Sequence, residues 1–207
     1  EALLALDNGT PPLTVQINPL KTTAEELTRE LSAWGVTAKP HAWVPGCLEL
    51  TGVGDLTTLE PFREGKLLVQ DPAARLVSLI AGVQPGQRVL DVCAAPGGKS
   101  FSAAFAMGDK GRIISCDVHG SKLKRIEEGA VRLGLTSIET AASDGRVFRP
   151  EWADAYDTVL VDAPCSGLGI IRKKPDVRYK RADDLFTLPV VQTALLDNAA
   201  RYVAPGG

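Results

Sequence analysis

Val89-Leu-Asp-Val-Cys93 runs directly into Ala94-Ala-Pro-Gly-Gly-Lys99, and some seventy residues later Thr158-Val-Leu-Val161 runs into Asp162-Ala-Pro-Cys165. The first stretch reads as a strand ending in a glycine turn, with side chains small enough for a cofactor to lie against the backbone. The second reads as a strand ending in an acid and a thiol, where a substrate could meet that cofactor. Two such strand ends on one edge of one sheet are how an α/β enzyme assembles a site.

The pattern around these stretches alternates in βα units. Arg88–Cys93 reads as a strand, Ser100–Met107 as a helix and Arg112–Cys116 as a strand, followed by a helix over Ser121–Leu133 ended by Gly134. Ile138–Ala142 is a weaker strand, Thr158–Val161 a strong one, and Leu185–Tyr202 a helix with Pro189 near its start. Strands separated by single helices predict a parallel, doubly wound sheet. Asp71-Pro72 opens this domain as N-cap and first helical residue, with Leu76, Val77, Leu79 and Ile80 as an apolar stripe.

Residues 1 to about 70 read differently. Leu13–Asn18 alternates as a strand does, and Thr23 with Glu26 forms a capping box ahead of Leu27, Leu31 and Trp34 on one helical face, ended by Gly35. Short β-like pieces follow at Ala38–Trp43, Cys47–Leu50 and Lys66–Gln70. The division expected is therefore a small α+β module over 1–70 and an α/β domain over 71–207.

Composition bounds the function. With 207 residues, 44% of them hydrophobic, and a mean hydropathy of +0.02, the chain has material for a packed core, and no apolar run approaches a membrane span. Glu1–Leu6 carries neither a basic leader nor a cleavage site. The missing initiator Met and the stop at Gly206-Gly207 read as an internal piece of a longer protein. Cys47, Cys93, Cys116 and Cys165 are scattered without zinc spacing, so neither a metal nor disulfides are expected and a reducing cytoplasm is the default. The net charge of −2 does not advertise nucleic-acid binding, which would need a local patch.

The glycine turn is followed by further acids. In a Rossmann-like unit the next strand ends in an acid that accepts from ribose hydroxyls, and Asp117 stands nineteen residues beyond Gly98 after Ile113-Ile-Ser-Cys116. Asp144, in Ser143-Asp-Gly-Arg146, follows the third strand, where an adenine amino group could donate to it. Alone, each feature reads equally as a surface turn, a helix cap or a turn residue; their order at successive strand ends is what favours a site. The phosphate loop G-x-x-x-x-G-K-[ST] is nearly matched by Cys93 to Ser100, but Cys93 stands where its first glycine belongs. A dinucleotide fingerprint is not supplied. A nucleoside with an amino-acid tail fits better, its carboxylate at the helix N-terminus, its ribose on Asp117 and its base near Asp144. That describes S-adenosylmethionine, held by Cys93, Ala94, Ala95, Pro96, Gly97, Gly98 and Lys99 together with Asp117 and Asp144.

At Asp91-Val-Cys-Ala-Ala-Pro-Gly-Gly-Lys99, Ser143–Arg146, Asp162-Ala-Pro-Cys-Ser-Gly167, Gly169–Asp176 and Gln192 the chain resembles the Sun (Fmu, RsmB-like) family of RNA cytosine-5 methyltransferases. The bacterial members acting on small-subunit ribosomal RNA are the nearest in pattern, Val69-Gln-Asp71 included. The resemblance implies a Rossmann-like methyltransferase sheet, cut short at its C-terminus, behind a small α+β RRM-like RNA-binding module. It also implies the chemistry. C5 of cytosine is a poor nucleophile, so a cysteine thiolate adds at C6, the activated ring takes the methyl group at C5, a base removes the C5 proton and the thiolate leaves. An amino-group methyltransferase carries an aromatic residue after the equivalent proline, so Cys165 favours carbon methylation. Asp162 is expected to hydrogen-bond near N3 of the base and to contact the cofactor.

The family pattern has two cysteines. Cys165, in Pro-Cys, corresponds to the one that assists product release, whereas the attacking cysteine lies in a Thr-Cys motif after the strand expected beyond Gly207. Neither Cys93 nor Cys116 substitutes for it. The chain is therefore expected to bind cofactor without turning over. Arg172, Lys173, Lys174, Arg178, Lys180 and Arg181 crowd the loop after Pro-Cys with one acid, Asp176, and are expected to meet RNA phosphates. Alternatives are a transfer RNA substrate, a non-catalytic RNA-binding or ribosome-assembly protein on the same fold, and a phosphate-loop NTPase, disfavoured by Cys93.

Overall fold

The computed structural model describes residues 8–180 and 184–207. The opening residues Glu1–Leu6 and the loop cation Arg181 therefore lie outside the described residues. Two four-stranded sheets organise the rest.

The first is antiparallel, built from β1 (Leu13–Ile17), β2 (Thr37–Pro40), β3 (Cys47–Thr51) and β4 (Leu67–Val69) in the order β2-β3-β1-β4. Helices α1 (Ala24–Ala33) and α2 (Glu60–Arg63) cover one face, where Val15, Leu27, Leu31, Leu48 and Leu67 form a closed core. The capping box forms: Glu26 N donates to Thr23 Oγ1 and Thr23 N to Glu26 Oε2. Trp34 departs from expectation. It is the C-cap, where the chain leaves the helical path, and is 52% exposed rather than sharing the face of Leu27 and Leu31. The strand expected over Ala38–Trp43 stops at Pro40, because His41 accepts from the backbone N–H groups of Trp43 and Val44 and turns the chain.

The second sheet is parallel, with β5 (Arg88–Asp91), β6 (Arg112–Asp117), β7 (Ile138–Ala142) and β8 (Thr158–Leu160) in the order β7-β6-β5-β8. Val89 and Ile113 point to the face covered by α4 (Gly98–Ala106) and α5 (Gly120–Leu133). Leu90 and Ile114 point to the other, covered by α6 (Asp184–Ala200), with Tyr202 stacked on Phe148. Alternating side chains on β5 and β6 thus feed two cores, as a doubly wound sheet requires.

Helix α3 (Pro72–Ile80) corrects the sequence reading. Asp71 caps it by accepting from Ala73 N, as expected, but its inward residue is Ser78. Leu76, Val77 and Leu79 are exposed and Ile80 is 84% exposed. The helix meets α4 with Ser78 turned inward, so the apolar stripe is left at the surface and not in the core. Periodicity found the helix and assigned the wrong face.

The two sheets are locked together. Asn18, fully buried, donates to the carbonyls of Gly65 (2.8 Å) in the first unit and Leu133 (2.9 Å) in the second. Arg132 reciprocates by donating to Phe62 O and Leu67 O, with its guanidinium over the Phe62 ring. Asn18→Ala strands two buried carbonyls, at a cost of about 2–4 kcal/mol. For a chain of this size the melting temperature should fall by about 5–15 °C, read by thermal denaturation.

Candidate functional site

Every predicted strand-end residue emerges on the same edge of the parallel sheet. After β5 the chain turns through Val92-Cys93, and Ala94 N donates back to Cys116 O at 2.7 Å. Gly97 closes the turn at φ +106°, and a Cβ there would stand 2.5 Å from the Phe101 ring. Only glycine fits this position. Helix α4 starts at the next residue, leaving its first N–H groups and positive dipole end over the turn.

Asp91 and Gln70 support the turn, and neither was assigned a role from sequence. Asp91 is buried and accepts from Ser100 Oγ at 2.8 Å, and Ser100 in turn accepts from Ser115 Oγ at 2.8 Å. This chain of hydrogen bonds staples β5, β6 and the first turn of α4. Burial pushes the Asp91 carboxyl up to about 6. Gln70, at the end of β4, donates to Gly98 O (3.2 Å) and Ser102 Oγ (3.3 Å), so the first sheet reaches into the glycine turn of the second.

A cavity of about 330 Å³ opens beside the turn. It is lined by Cys93, Ala95, Asp117, Asp144 and Asp162 from the predicted set, and by Val118, His119, Lys122, Ser143, Gly145, Arg146, Pro164, Val191 and Leu195. Ala94, Pro96, Gly98 and Lys99 line a smaller recess of about 100 Å³ with Gln70, Asp91, Cys93 and Asp162. Asp117, at the end of β6, accepts from His119 N at 2.9 Å, and Lys122 Nζ lies 3.5 Å away. Asp162 accepts from Lys99 Nζ at 2.5 Å. Asp144 is already engaged: Arg146 donates to both its oxygens, at 2.9 and 2.6 Å, holding the carboxyl below the usual carboxylate range. At Gly145 a Cβ would stand 2.4 Å from Val92 and 2.7 Å from Leu195, so the cavity floor has no room for a side chain. Val191 and Leu195 come from α6 and carried no local signal.

The cysteines separate by environment. Burial and the surrounding carboxylates, Asp91 first, push Cys93 up to about 11, and burial pushes Cys116 up to about 12. Cys165 is exposed, one residue beyond the cavity-lining Pro164, whose carbonyl accepts from Gln192 Nε2 at 2.9 Å. At pH 8 a thiol of pKa about 11 is only about one part in a thousand thiolate. Iodoacetamide at that pH should alkylate Cys165 alone, with Cys93, Cys116 and the buried Cys47 protected, as peptide mass mapping would show.

The loop cations are largely occupied within the chain. Arg172 donates to the carbonyls of Gly9 (3.2 Å) and Thr10 (3.0 Å), Arg178 to Asn8 Oδ1 (3.0 Å) and Lys180 to Ser166 O (2.9 Å). Lys173 pairs with Asp71. Lys174 is exposed and has no side-chain partner among the described residues. The loop sits beside Pro164-Cys165 as expected, tied to the start of the first unit. Among the described residues no cluster of three or more His, Cys, Asp or Glu is set to hold a metal, and no helix is long and apolar enough to cross a membrane.

A parallel sheet with a glycine turn after β5 and acids at the following strand ends is a Rossmann-like methyltransferase domain, here joined to a ferredoxin-like unit. The chain belongs to the 16S rRNA methyltransferase RsmB/F family, whose model matches residues 78–207, while the model for the RsmF/B-like ferredoxin-like domain matches residues 1–57. The family is one of S-adenosylmethionine-dependent methyltransferases. A curated relative from Synechocystis, a probable ribosomal RNA small subunit methyltransferase B, is 40% identical over all of this chain and 47% of its own length. The crystal structure of PH0851 superposes with a TM-score of 0.92 at 35% identity, covering 97% of this chain and 46% of that one. A methyltransferase homologue from Pyrococcus horikoshii gives 0.82 at 26% identity, covering 98% and 64%. The chain spans about half the length of the curated relatives it matches.

Proposed function

We propose that this chain is the cofactor-binding and base-presenting part of an enzyme that methylates C5 of a cytosine in small-subunit ribosomal RNA, acting in the cytoplasm. The observation that carries the reading is the convergence of Asp117, Asp144 and Asp162 on one cavity beside Pro164-Cys165. The site suits S-adenosylmethionine by shape and donor set. Gly97 and Gly145 stand where any side chain would collide, and acceptors lie at the ends of β6 and β7 beside the free N-terminus of α4 after β5. When bound, that cofactor supplies an electrophilic methyl group.

Each residue then has a task. Lys99 and the first N–H groups of α4 hold the tail carboxylate. Asp117 accepts from the ribose hydroxyls. Asp144, braced by Arg146, faces the adenine end with one of its lone pairs. Asp162, at the boundary of the cavity and the recess and held by Lys99, orients the incoming base. Cys165 is placed to assist product release. Cys93 and Cys116 are held as thiols and do not attack C6. The attacking thiolate is not among the described cysteines, so this chain alone binds cofactor and does not turn over.

The division of labour falls at Gln70/Asp71. The first unit has the strand order of an RRM, but its helix-free face packs on the methyltransferase domain through Gln16 and Leu68, and none of its four strands carries an aromatic residue. Base stacking of the RRM kind is therefore not its mode. It holds the loop of Arg172–Lys180 beside the cavity, where RNA phosphates exchange with the internal partners of those cations. Methyl transfer from labelled cofactor to small-subunit ribosomal RNA should be seen when residues 1–207 are extended by the C-terminal part of a longer relative that carries the Thr-Cys motif, and not with residues 1–207 alone. Robust turnover by this chain, or methylation of transfer RNA in preference, would overturn the corresponding part of the reading.

A further inference from the structure

The seam between the ferredoxin-like unit and the methyltransferase domain carries a second chamber, open to solvent and of about 360 Å³, which shares no residue with the catalytic cavity. Its walls include Gln16, Pro19 and Thr22 from the first unit, Arg75 from α3, and Phe105 and Ala106 from the end of α4. The volume falls within the range of about 300–1,000 Å³ usual for small-molecule sites.

Arg75 is out of place in such a wall. Its Nε and Nη1 are covered, and neither has a hydrogen-bond partner among the described residues. No carboxylate among the described residues forms an ion pair with it. Burial lowers its pKa, and the one group acting in the other direction is the Cys47 thiol, itself pushed upward by burial. A partly buried guanidinium with two covered donors left unpaired by the chain calls for an acceptor that the chain does not supply. Water would satisfy donors but not charge.

The surroundings favour an acceptor that is also an anion. Gln16 gives its amide oxygen to Ser102, which leaves its NH₂ group as a further donor. Glu26, which follows the lining residues Thr23 and Ala24, is committed to the capping box, where it accepts from Thr23 N and Oγ1. Ile17, Pro19, Ala24, Phe105 and Ala106 make much of the remaining wall apolar beside Thr22 and Thr23, which strengthens a charge-assisted contact.

We infer that this seam chamber binds a small oxyanion, of phosphate or carboxylate type, on the Arg75 guanidinium. A backbone phosphate of RNA and a free anion present the same chemistry. The inference is independent of the catalytic assignment, since the two cavities have no wall in common.

The test uses the whole chain and inorganic phosphate as probe, against sodium chloride at matched ionic strength. Phosphate should raise the melting temperature of the wild type saturably, and Arg75→Met should weaken that response at least about 10-fold, the loss of a charge-assisted contact. In the wild type, the ¹⁵N-detected Nε–H signal of Arg75 should shift along the same binding curve, a readout that does not depend on the variant folding. A short single-stranded RNA added in place of phosphate separates the sources: a shift of that signal that phosphate competes away assigns an RNA phosphate, and phosphate-only response assigns a free anion. A non-saturating stabilisation equal in wild type and Arg75→Met, with the Arg75 signal unmoved, is the general effect of an excluded salt and would refute the site.

Discussion

Asp117→Ala should lower the affinity for S-adenosylhomocysteine by about 100-fold or more, because in the proposed site its carboxylate accepts two charge-assisted hydrogen bonds from the ribose, worth about 1.5–3 kcal/mol each. Asp117 is well suited to the measurement. It ends a central strand, is only 7% exposed, and is aimed into the cavity with one oxygen on His119 N. Asp117→Asn keeps an acceptor for that N–H and should bind with an intermediate affinity. Titration calorimetry on both variants, with ATP and NAD as control ligands, separates loss of the ribose contact from loss of the helix start. Undiminished affinity in Asp117→Ala would remove the central element of the proposed site.

Asp91→Asn should stabilise the protein at neutral pH, by up to about 3 kcal/mol. The folded-state pKa of Asp91 is raised, from 3.8 to about 6. Between those values the folded chain holds a proton that the unfolded chain has released, so stability falls as pH rises through this window. The penalty is complete above pH 6, and two pKa units at about 1.4 kcal/mol each give its size. Asparagine keeps a hydrogen bond to Ser100 and carries no charge. The difference between variant and wild type, from urea unfolding at several pH values, should be near zero at pH 4 and grow to its full size by pH 7. Taking the difference matters because Asp71, Asp109 and Asp55 are shifted downward and lose stability on acidification in both proteins. A flat difference across pH would mean that the Asp91 carboxyl is not the titrating group.

These two acids mark where local sequence information ends. Asp117 is legible because a strand end nineteen residues after a glycine turn is a spacing, and the capping box at Thr23 and the Asp71-Pro72 start are legible for the same reason. Asp91 lies inside the motif, yet its partners Ser100 and Ser115 meet only when β5, β6 and α4 are assembled. Gln70 touches Gly98 across twenty-eight residues, and Val191 and Leu195 reach the cavity from the far side of the sheet. The apolar stripe of α3 was misplaced because periodicity reports that a helix has two faces, not which of them finds a neighbour. The loop cations were legible as charge, but their internal acceptors at Asn8, Gly9, Thr10 and Asp71 lie more than a hundred residues away in sequence.

The buried amide of Asn18 gives the two sheets a common reference point. With Gln70 joining them a second time at the glycine turn, the offset between the ferredoxin-like unit and the cofactor cavity is set at two separated points, as a jig fixes a workpiece. Two pins prevent rotation where one would permit it. In the proposed function, a transcript gripped by the loop that the first unit anchors would therefore meet the cavity at a constant distance and angle, and which nucleotide arrives there becomes a matter of measured length along the RNA.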